Sequence, residues 1–165
     1  MSRAAPVCLI LLCSAVAPRA LADGRATRTP PPAAYVEECG ACHVPYPARG
    51  LAAADWAQLM GRLERHFGSD ASLEPALAAQ ITAWLQANAG RGPAQAAAAE
   101  PPRLTRAAWF VREHDELPQR LWVAAEVKSA ANCGACHRGA TEGRYSEHEV
   151  RLPGAATLPS DGDRP

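Results

Sequence analysis

Hydrophobic residues recur at every third or fourth position in several separate stretches of the chain. This spacing predicts a short helix over 35–42 and longer helices over 55–67, 69–88, 105–114 and 119–128. No stretch alternates apolar and polar residues as a half-buried strand does, alanine is abundant, and β-branched runs are few. The sequence therefore predicts an all-α protein with short helices and long loops.

Polar residues, glycine and proline mark the expected ends of these helices. Asp55, Ser72 and Thr105 are candidate N-caps for three of them. Gly68 is a candidate C-terminal stop, and Pro118 interrupts the helical pattern before the last helix. Within the helix over 55–67, one side carries residues at intervals of four and three, namely Leu59, Leu63 and His66.

The first 22 residues have the three parts of a secretory signal peptide. Arg3 gives a basic start, an apolar run covers 7–17, and Ala20-Leu21-Ala22 is a small-residue cleavage site before Asp23. We therefore expect a mature protein that begins near Asp23 and lies in the bacterial periplasm. No later stretch approaches the roughly 18 apolar residues of a membrane span, so the mature form is predicted to have none.

Stretches rich in proline and glycine divide the rest of the chain. Prolines at 30–32 predict an extended leader, and a segment with proline near both ends separates two halves. The predicted organisation is a signal peptide over 1–22, a flexible leader over 23–33, a first domain over 34–90, a linker over 91–102, a second domain over 103–153 and a flexible tail over 154–165.

Charge argues against one class of partner. The whole chain has 17 basic and 17 acidic side chains. Removal of the signal takes away Arg3 and Arg19 but no acidic residue, so the mature chain is slightly acidic. A protein that binds nucleic acid through phosphate contacts needs a basic surface, and none is expected here.

The pentapeptide Cys-Gly-Ala-Cys-His occurs at 39–43 and returns unchanged at 133–137. Covalent haem needs this arrangement, because each thiol adds to one vinyl group of the porphyrin and the adjoining histidine binds the iron. The repeat predicts two covalently bound c-type haems, one in each half. The attaching thiols and proximal ligands would be Cys39, Cys42 and His43 for the first haem, and Cys133, Cys136 and His137 for the second.

Zinc binding and dithiol redox chemistry are the other uses of paired cysteines. Zinc ribbons hold their two pairs about 15–20 residues apart, whereas 94 residues separate Cys39 from Cys133. A redox dithiol would accompany a strand-helix-strand pattern, which is not visible. Neither use explains the histidine after each pair. Because Cys8 and Cys13 leave with the signal, no cysteine remains for a structural disulfide.

Three histidines are left for the distal side of the two irons, since the chain has five and two are proximal. His66 lies 23 residues after His43, and His114 lies 23 residues before His137. Each half can therefore furnish one complete pair, although crossed pairing between the halves also satisfies the count. His148 stands between two glutamates and is expected to be exposed.

Met60 competes with His66 for the first iron. It is the one methionine of the mature chain, and its helical neighbours Trp56 and Phe67 form an aromatic stripe where a thioether packs well. The choice matters because a methionine ligand raises the reduction potential of a haem. The adjacent Trp109 and Phe110 either line a haem or pack between helices.

On these motifs the chain resembles the bacterial periplasmic dihaem cytochrome c family, typified by the dihaem partner of an oxygen-binding c-type haem protein. The resemblance covers about 35–153 and rests on Glu-Cys-Gly-Ala-Cys-His at 38–43, the run 56–68 that ends His-Phe-Gly, Trp109-Phe110 shortly before His114, and Asn-Cys-Gly-Ala-Cys-His at 132–137. It implies that both haems are bis-histidine, with His43 and His66 on one iron and His114 and His137 on the other. It also implies electron exchange with a small c-type haem protein or a membrane b-type cytochrome.

The leading hypothesis is an electron-transfer protein rather than an enzyme. It would carry electrons between a membrane or quinol-linked donor and a soluble haem-protein acceptor, and the haems would supply the redox chemistry. The rival hypotheses are a dihaem peroxidase or reductase and a haem gas sensor or carrier. Both rivals need an iron with an open position. The chain is also short for such an enzyme and lacks an output domain for a sensor.

Overall fold

The structure of the protein is a computed structural model that describes residues 29–95 and 100–153. The predicted signal peptide, most of the predicted leader, part of the linker and the predicted tail lie outside the described residues. The division into leader, domains, linker and tail stays a prediction.

Short helices joined by long loops make up the described residues, which contain no strand. The α-helices are α1 (Ala33–Gly40), α2 (Ala53–Met60), α3 (Pro75–Ala87), α4 (Ala108–Glu113) and α5 (Gln119–Trp122). Single 3₁₀ turns lie at Ala48–Gly50, Leu63–Arg65, Leu104–Arg106, Cys133–Ala135, Ala140–Glu142 and Glu147–Glu149. The predicted all-α fold is confirmed. Across the part of the chain described here, no helix combines the length and apolar character that crossing a membrane requires.

The longest helix, α3, begins and ends at side chains that satisfy its free backbone groups. The Glu74 carboxylate accepts hydrogen bonds from the N–H groups of Ala76 and Leu77, at 2.9 and 3.1 Å, and Pro75 stands in the first turn, where its missing N–H has no cost. At the other end, Asn88 Nδ2 donates to the carbonyl of Trp84 at 2.9 Å. The sequence predicted Ser72 as the N-cap of this helix. That prediction was wrong, because the N-cap is Glu74.

Helices α2, α4 and α5 are also shorter than predicted, whereas α1 has the predicted length but begins and ends two residues earlier. Helix α2 ends at Met60 because Gly61, a poor helix former, follows, and the chain continues as a 3₁₀ turn. Asp55 is not the N-cap of α2, which is Ala52; it lies in the first turn, and its carboxylate accepts from the Ala52 N–H. Thr105 lies inside a 3₁₀ turn, so it does not cap α4. The last predicted helix stops at Trp122 instead of Lys128.

One apolar core joins the two halves of the chain. Helix α2 packs mainly against α3, where Ile81 is fully buried and Leu85 is 1 % exposed. Burial of each such side chain stabilises the fold by about 1.5–3 kcal/mol. The core continues into the second half, and its members are Tyr35, Ala48, Leu51, Trp56, Leu59, Ile81, Leu85, Leu104 and Phe110.

Hydrogen bonds fasten the second half onto the 3₁₀ turn Ala48–Gly50. Trp109 Nε1 donates to the carbonyl of Gly50 at 2.8 Å, and Trp56 Nε1 donates to the carbonyl of Ala48 at 2.6 Å. Leu104 packs so closely on Gly50 that a side chain there would meet it. The turn is therefore held from both halves.

A buried carboxylate fixes the two flanks of the linker. Asp55 is 3 % exposed, and its carboxylate accepts from the N–H of Ala52 at 3.3 Å and the N–H of Gln95 at 2.9 Å. The Gln95 amide in turn donates to the Arg103 carbonyl at 2.7 Å and accepts from the Arg103 N–H at 3.1 Å. Because these groups pair with each other, the buried charge does not remain unsatisfied.

The backbone at Gly90 leaves no room for a side chain. Its N–H donates to the carbonyl of Leu51 at 2.7 Å, and an added Cβ would collide with the carbonyl oxygen of Arg49. At Gly92 an added Cβ meets nothing within 4 Å.

We expect Gly90→Ala to lower the free energy of unfolding of the haem-loaded protein by about 1–3 kcal/mol, because backbone must move to admit the methyl group. Gly92→Ala is the matched control and should leave stability nearly unchanged. Chemical denaturation followed by far-ultraviolet circular dichroism measures both. Equal stability of the two variants would show that the contact between Gly90 and the Arg49 segment is not tight.

Candidate haem-binding site

The first Cys-Gly-Ala-Cys-His motif begins on the last turn of α1. Cys39 is partly buried against the core and Cys42 is exposed. The loop that follows is tied back to the helix, because the buried Tyr35 hydroxyl donates to the carbonyl of Tyr46 at 2.6 Å. The motif is thus held at both ends by the same helix.

His43 is oriented by its neighbours. Its Nδ1 lies 2.8 Å from the carbonyl oxygen of Val44, and its ring stacks on Tyr46 with centroids 4.6 Å apart and planes 15° from parallel. When Nδ1 carries the proton and donates to that carbonyl, Nε2 keeps its lone pair. This is the tautomer that a metal ligand needs.

The second motif lies on the 3₁₀ turn Cys133–Ala135. The N–H of His137 donates to the carbonyl of Cys133 at 2.8 Å, and the N–H of Arg151 donates to the carbonyl of Cys136 at 2.9 Å. Just before the turn, Asn132 Nδ2 donates to the carbonyl of Val127 at 3.0 Å. These bonds hold the two cysteines and the histidine on one tight turn.

The structure brings the histidines together in two pairs. The ring centroids of His43 and His66 are 6.2 Å apart, and those of His114 and His137 are also 6.2 Å apart. Two imidazoles on opposite sides of one metal ion, each with a bond of about 2 Å, have ring centres about 6 Å apart. Both pairs thus have a separation compatible with one iron each, and each pair draws both histidines from one half of the chain.

The donor set fits a haem better than a bare metal ion. Among residues 29–95 and 100–153, no group of three or more His, Cys, Asp or Glu side chains comes together to hold a metal. Two imidazoles leave most of a metal's coordination positions empty, and a porphyrin supplies the four that are missing. The four cysteines of the two motifs likewise do not assemble into a zinc site.

Three of the four motif thiols lack the lowered pKa that marks a redox dithiol. Burial raises the pKa of Cys39 to about 11, and it also raises the pKa of Cys133 and of Cys136. Redox-active pairs have a thiol with a lowered pKa, because the thiolate is the reactive form.

His66 reaches its place from a strained turn and not from a helix. It follows the 3₁₀ turn Leu63–Arg65, and the next residues, Phe67 and Gly68, have positive φ values of 50° and 96°. A non-glycine residue in this region is uncommon. The prediction that Leu59, Leu63 and His66 share one side of a helix was therefore wrong, since α2 has ended at Met60. Met60 itself packs against the core.

His114 directly follows α4 and is surrounded by aromatic rings. Its Nδ1 lies 2.8 Å from the carbonyl oxygen of Phe110, and its ring stacks on Phe110 with centroids 4.1 Å apart. The ring of Trp122 lies 5.8 Å away. Phe110 thus belongs to the core and also supports the histidine. His148, by contrast, is exposed, as the sequence suggested.

Three residues near the pairs were not predicted from the sequence. Tyr46 and Tyr145 place their rings 4.6 and 5.4 Å from His43 and His137 respectively. With three tyrosines in the whole chain, two soon after the motifs were a usable signal. Arg103 places its guanidinium 4.4 Å above the Phe67 ring, and no local pattern pointed to this contact.

The two motifs touch each other. The Tyr46 hydroxyl donates to the carbonyl of Ala131 at 2.8 Å, two positions before Cys133. A Cβ on Gly134 would lie 3.8 Å from a methyl group of Val44, next to His43. The attachment turns of the two motifs therefore lie close together.

Comparisons with known proteins agree with this geometry. The family described as dihaem cytochrome c matches residues 35–145. A dihaem c-type cytochrome from Shewanella baltica OS155, solved by X-ray diffraction, is 38 % identical, with 76 % of this chain and 96 % of that chain covered and a TM-score of 0.67. A dihaem cytochrome c from Rhodobacter sphaeroides is 40 % identical, with 68 % and 95 % covered and a TM-score of 0.58. No curated protein matches the chain.

The match covers both motifs, and the related structures share their fold with this chain over nearly their whole length. The predicted cofactors are confirmed, and the chain carries two covalently bound c-type haems. It belongs to the dihaem cytochrome c family.

Proposed function

We propose that this dihaem cytochrome is a periplasmic electron-transfer protein in which each iron has two histidine ligands. His43 and His66 would bind the first iron, and His114 and His137 the second. Cys39 and Cys42 would attach one haem, and Cys133 and Cys136 the other. The observation that carries the proposal is the equal separation of 6.2 Å within the two histidine pairs.

Filled axial positions favour electron transfer over catalysis. A peroxidase, a reductase or a gas sensor must bind its ligand at an open iron position. When both positions are filled by side chains, the iron can still change its oxidation state without any bond being made or broken. The haems supply the redox chemistry, and the polypeptide supplies ligands, burial and a docking surface.

Contact between the motifs supports transfer between the two haems. The bond from Tyr46 to Ala131 and the approach of Gly134 to Val44 leave little space between the attachment turns. Haems attached at these turns would lie near each other, so that an electron taken up by one would pass to the other. We propose a membrane or quinol-linked donor, such as a b-type cytochrome, and a small soluble c-type haem protein as the acceptor.

Transfer to an acceptor tests the function directly. The reduced protein, mixed anaerobically with a ferric monohaem c-type protein of the oxygen-binding class, should be reoxidised as the acceptor is reduced, with one electron leaving each haem. Stopped-flow absorption spectroscopy follows both proteins.

Carbon monoxide supplies the control for that experiment. Because no axial position is open in the proposed site, the reduced protein should bind carbon monoxide slowly and incompletely at neutral pH. Rapid and complete binding, or brisk turnover of hydrogen peroxide, would favour the enzyme or sensor instead.

Removal of one distal ligand should affect one haem only. We expect His66→Ala and His114→Ala each to convert one of the two irons from low spin to high spin, because the partner imidazole is lost. Each variant should therefore lose about half of the low-spin signal. Absorption and electron paramagnetic resonance spectra of the oxidised variants measure this change.

His148→Ala is the matched control, since this exposed histidine lies outside both pairs. Its spectra should equal those of the wild type. If His66→Ala and His114→Ala also keep wild-type spectra, the ligand assignment is wrong.

We expect acid to detach the histidine ligands from the two irons. Burial lowers the pKa of His66 and of His137 below the ordinary value, and the neighbouring histidine of each pair adds to the shift. The neutral ring is thus favoured in the folded protein, whereas the released ring takes up a proton below a pH of about 6.5. Stability from these groups is present above that pH and falls as the solution becomes more acidic.

An absorption titration should therefore show a constant low-spin fraction from neutral to mildly alkaline pH and a progressive loss towards acid. A loss of the low-spin form as the pH rises above neutral would contradict this account.

A further inference from the structure

We propose that Tyr46 is a positioning residue that fixes the spacing of the two haems. It contacts the proximal histidine of the first haem and the attachment turn of the second. This inference rests on the proposed function, because the spacing matters only when electrons pass between the haems.

The ring of Tyr46 makes the first contact. It stacks on His43 with centroids 4.6 Å apart and an angle of 15° between the planes. Since His43 is also held through Nδ1 by the Val44 carbonyl, a movement of the tyrosine ring would disturb the orientation of an already fixed imidazole.

The hydroxyl of Tyr46 makes the second contact. It donates to the carbonyl of Ala131 at 2.8 Å, across 85 positions of sequence. This bond joins the loop after the first motif to the turn before the second.

The acceptor belongs to a stiff turn. The N–H of Ala131 donates to the Ser129 hydroxyl at 3.1 Å, and the N–H of Asn132 donates to the Ser129 carbonyl at 3.0 Å. Lys128, which begins this turn, has a positive φ of 65°. A shift of the Ala131 carbonyl would therefore carry Cys133 with it.

The tyrosine is itself anchored to the helix that bears Cys39. The buried Tyr35 donates its hydroxyl proton to the carbonyl of Tyr46 at 2.6 Å. A continuous path thus runs from α1 through Tyr35 and Tyr46 to the turn before Cys133. It connects the elements that carry the two attachment motifs.

Tyr145 provides a natural comparison. Its ring lies against the other proximal histidine, His137, with centroids 5.4 Å apart, but its hydroxyl donates to the Ala140 carbonyl at 3.4 Å, within the second half. Tyr145→Phe therefore removes a hydroxyl beside a proximal histidine without breaking a link between the motifs.

The test compares Tyr46→Phe, Tyr46→Leu and Tyr145→Phe in the haem-loaded protein. The step measured is the movement of one electron from a ferrous to a ferric iron, with no proton moved and no bond broken. Flash-induced transfer of one electron from an added photoreductant to one haem starts this step and gives its rate. The magnetic broadening of the ferric low-spin resonance signals reports haem spacing independently of the rate.

We expect Tyr46→Phe to lower the rate of electron transfer between the haems several-fold and to narrow the ferric resonance signals. Tyr46→Leu, which also loses the stacked ring, should change both quantities further. Tyr145→Phe should equal the wild type in both measurements. Equal behaviour of Tyr46→Phe and Tyr145→Phe would overturn the inference. A wild-type protein whose irons are not both low-spin would instead count against the proposed function.

Discussion

An iron in a porphyrin offers two axial positions, and two imidazoles can fill both only when their rings stand about 6 Å apart on opposite sides. The chain brings two pairs of imidazoles to ring separations of 6.2 Å, and each pair joins a histidine of a Cys-Gly-Ala-Cys-His motif to one 23 residues away in sequence. The two candidate distal histidines are held by different local structures. His66 comes from a turn with left-handed backbone, whereas His114 immediately follows a helix and rests on Phe110.

The shared core explains how so short a chain keeps these positions fixed. Leu104 and Phe110 join a core otherwise built from the first half, and Trp109 donates to the carbonyl of Gly50. Asp55 and Gln95 secure the segment between the halves. Because side chains from both halves share this core, the two halves are packed against each other.

The chemistry could be predicted from the sequence more completely than the helix boundaries. The repeated pentapeptide is a local signal, so the two haems followed from it, and the all-α fold followed from the spacing of apolar residues. The pairing of His66 and His114 with the motif histidines came from the family resemblance and stays a prediction. The lengths of the helices did not follow. The spacing of apolar residues continued the predicted helices over 55–67 and 119–128 past Gly61 and Val123. In the structure, α2 and α5 end just before these two residues. In both places the chain continues through 3₁₀ or irregular turns.

Contacts between distant segments were beyond the sequence pattern. Arg103 lies over Phe67, and Tyr46 reaches Ala131, only because the two halves pack on one another. No spacing along the chain encodes such a meeting. The tyrosines near the motifs could have been singled out as candidates, but not the partners of their hydroxyl groups.

Near-infrared magnetic circular dichroism of the fully oxidised protein tests the central claim most directly, because the charge-transfer band of a low-spin haem depends on its axial ligands. The account predicts that both haems show the band of two histidine ligands and no other. A band of the histidine–methionine type, or a high-spin iron in the untreated protein, would contradict it.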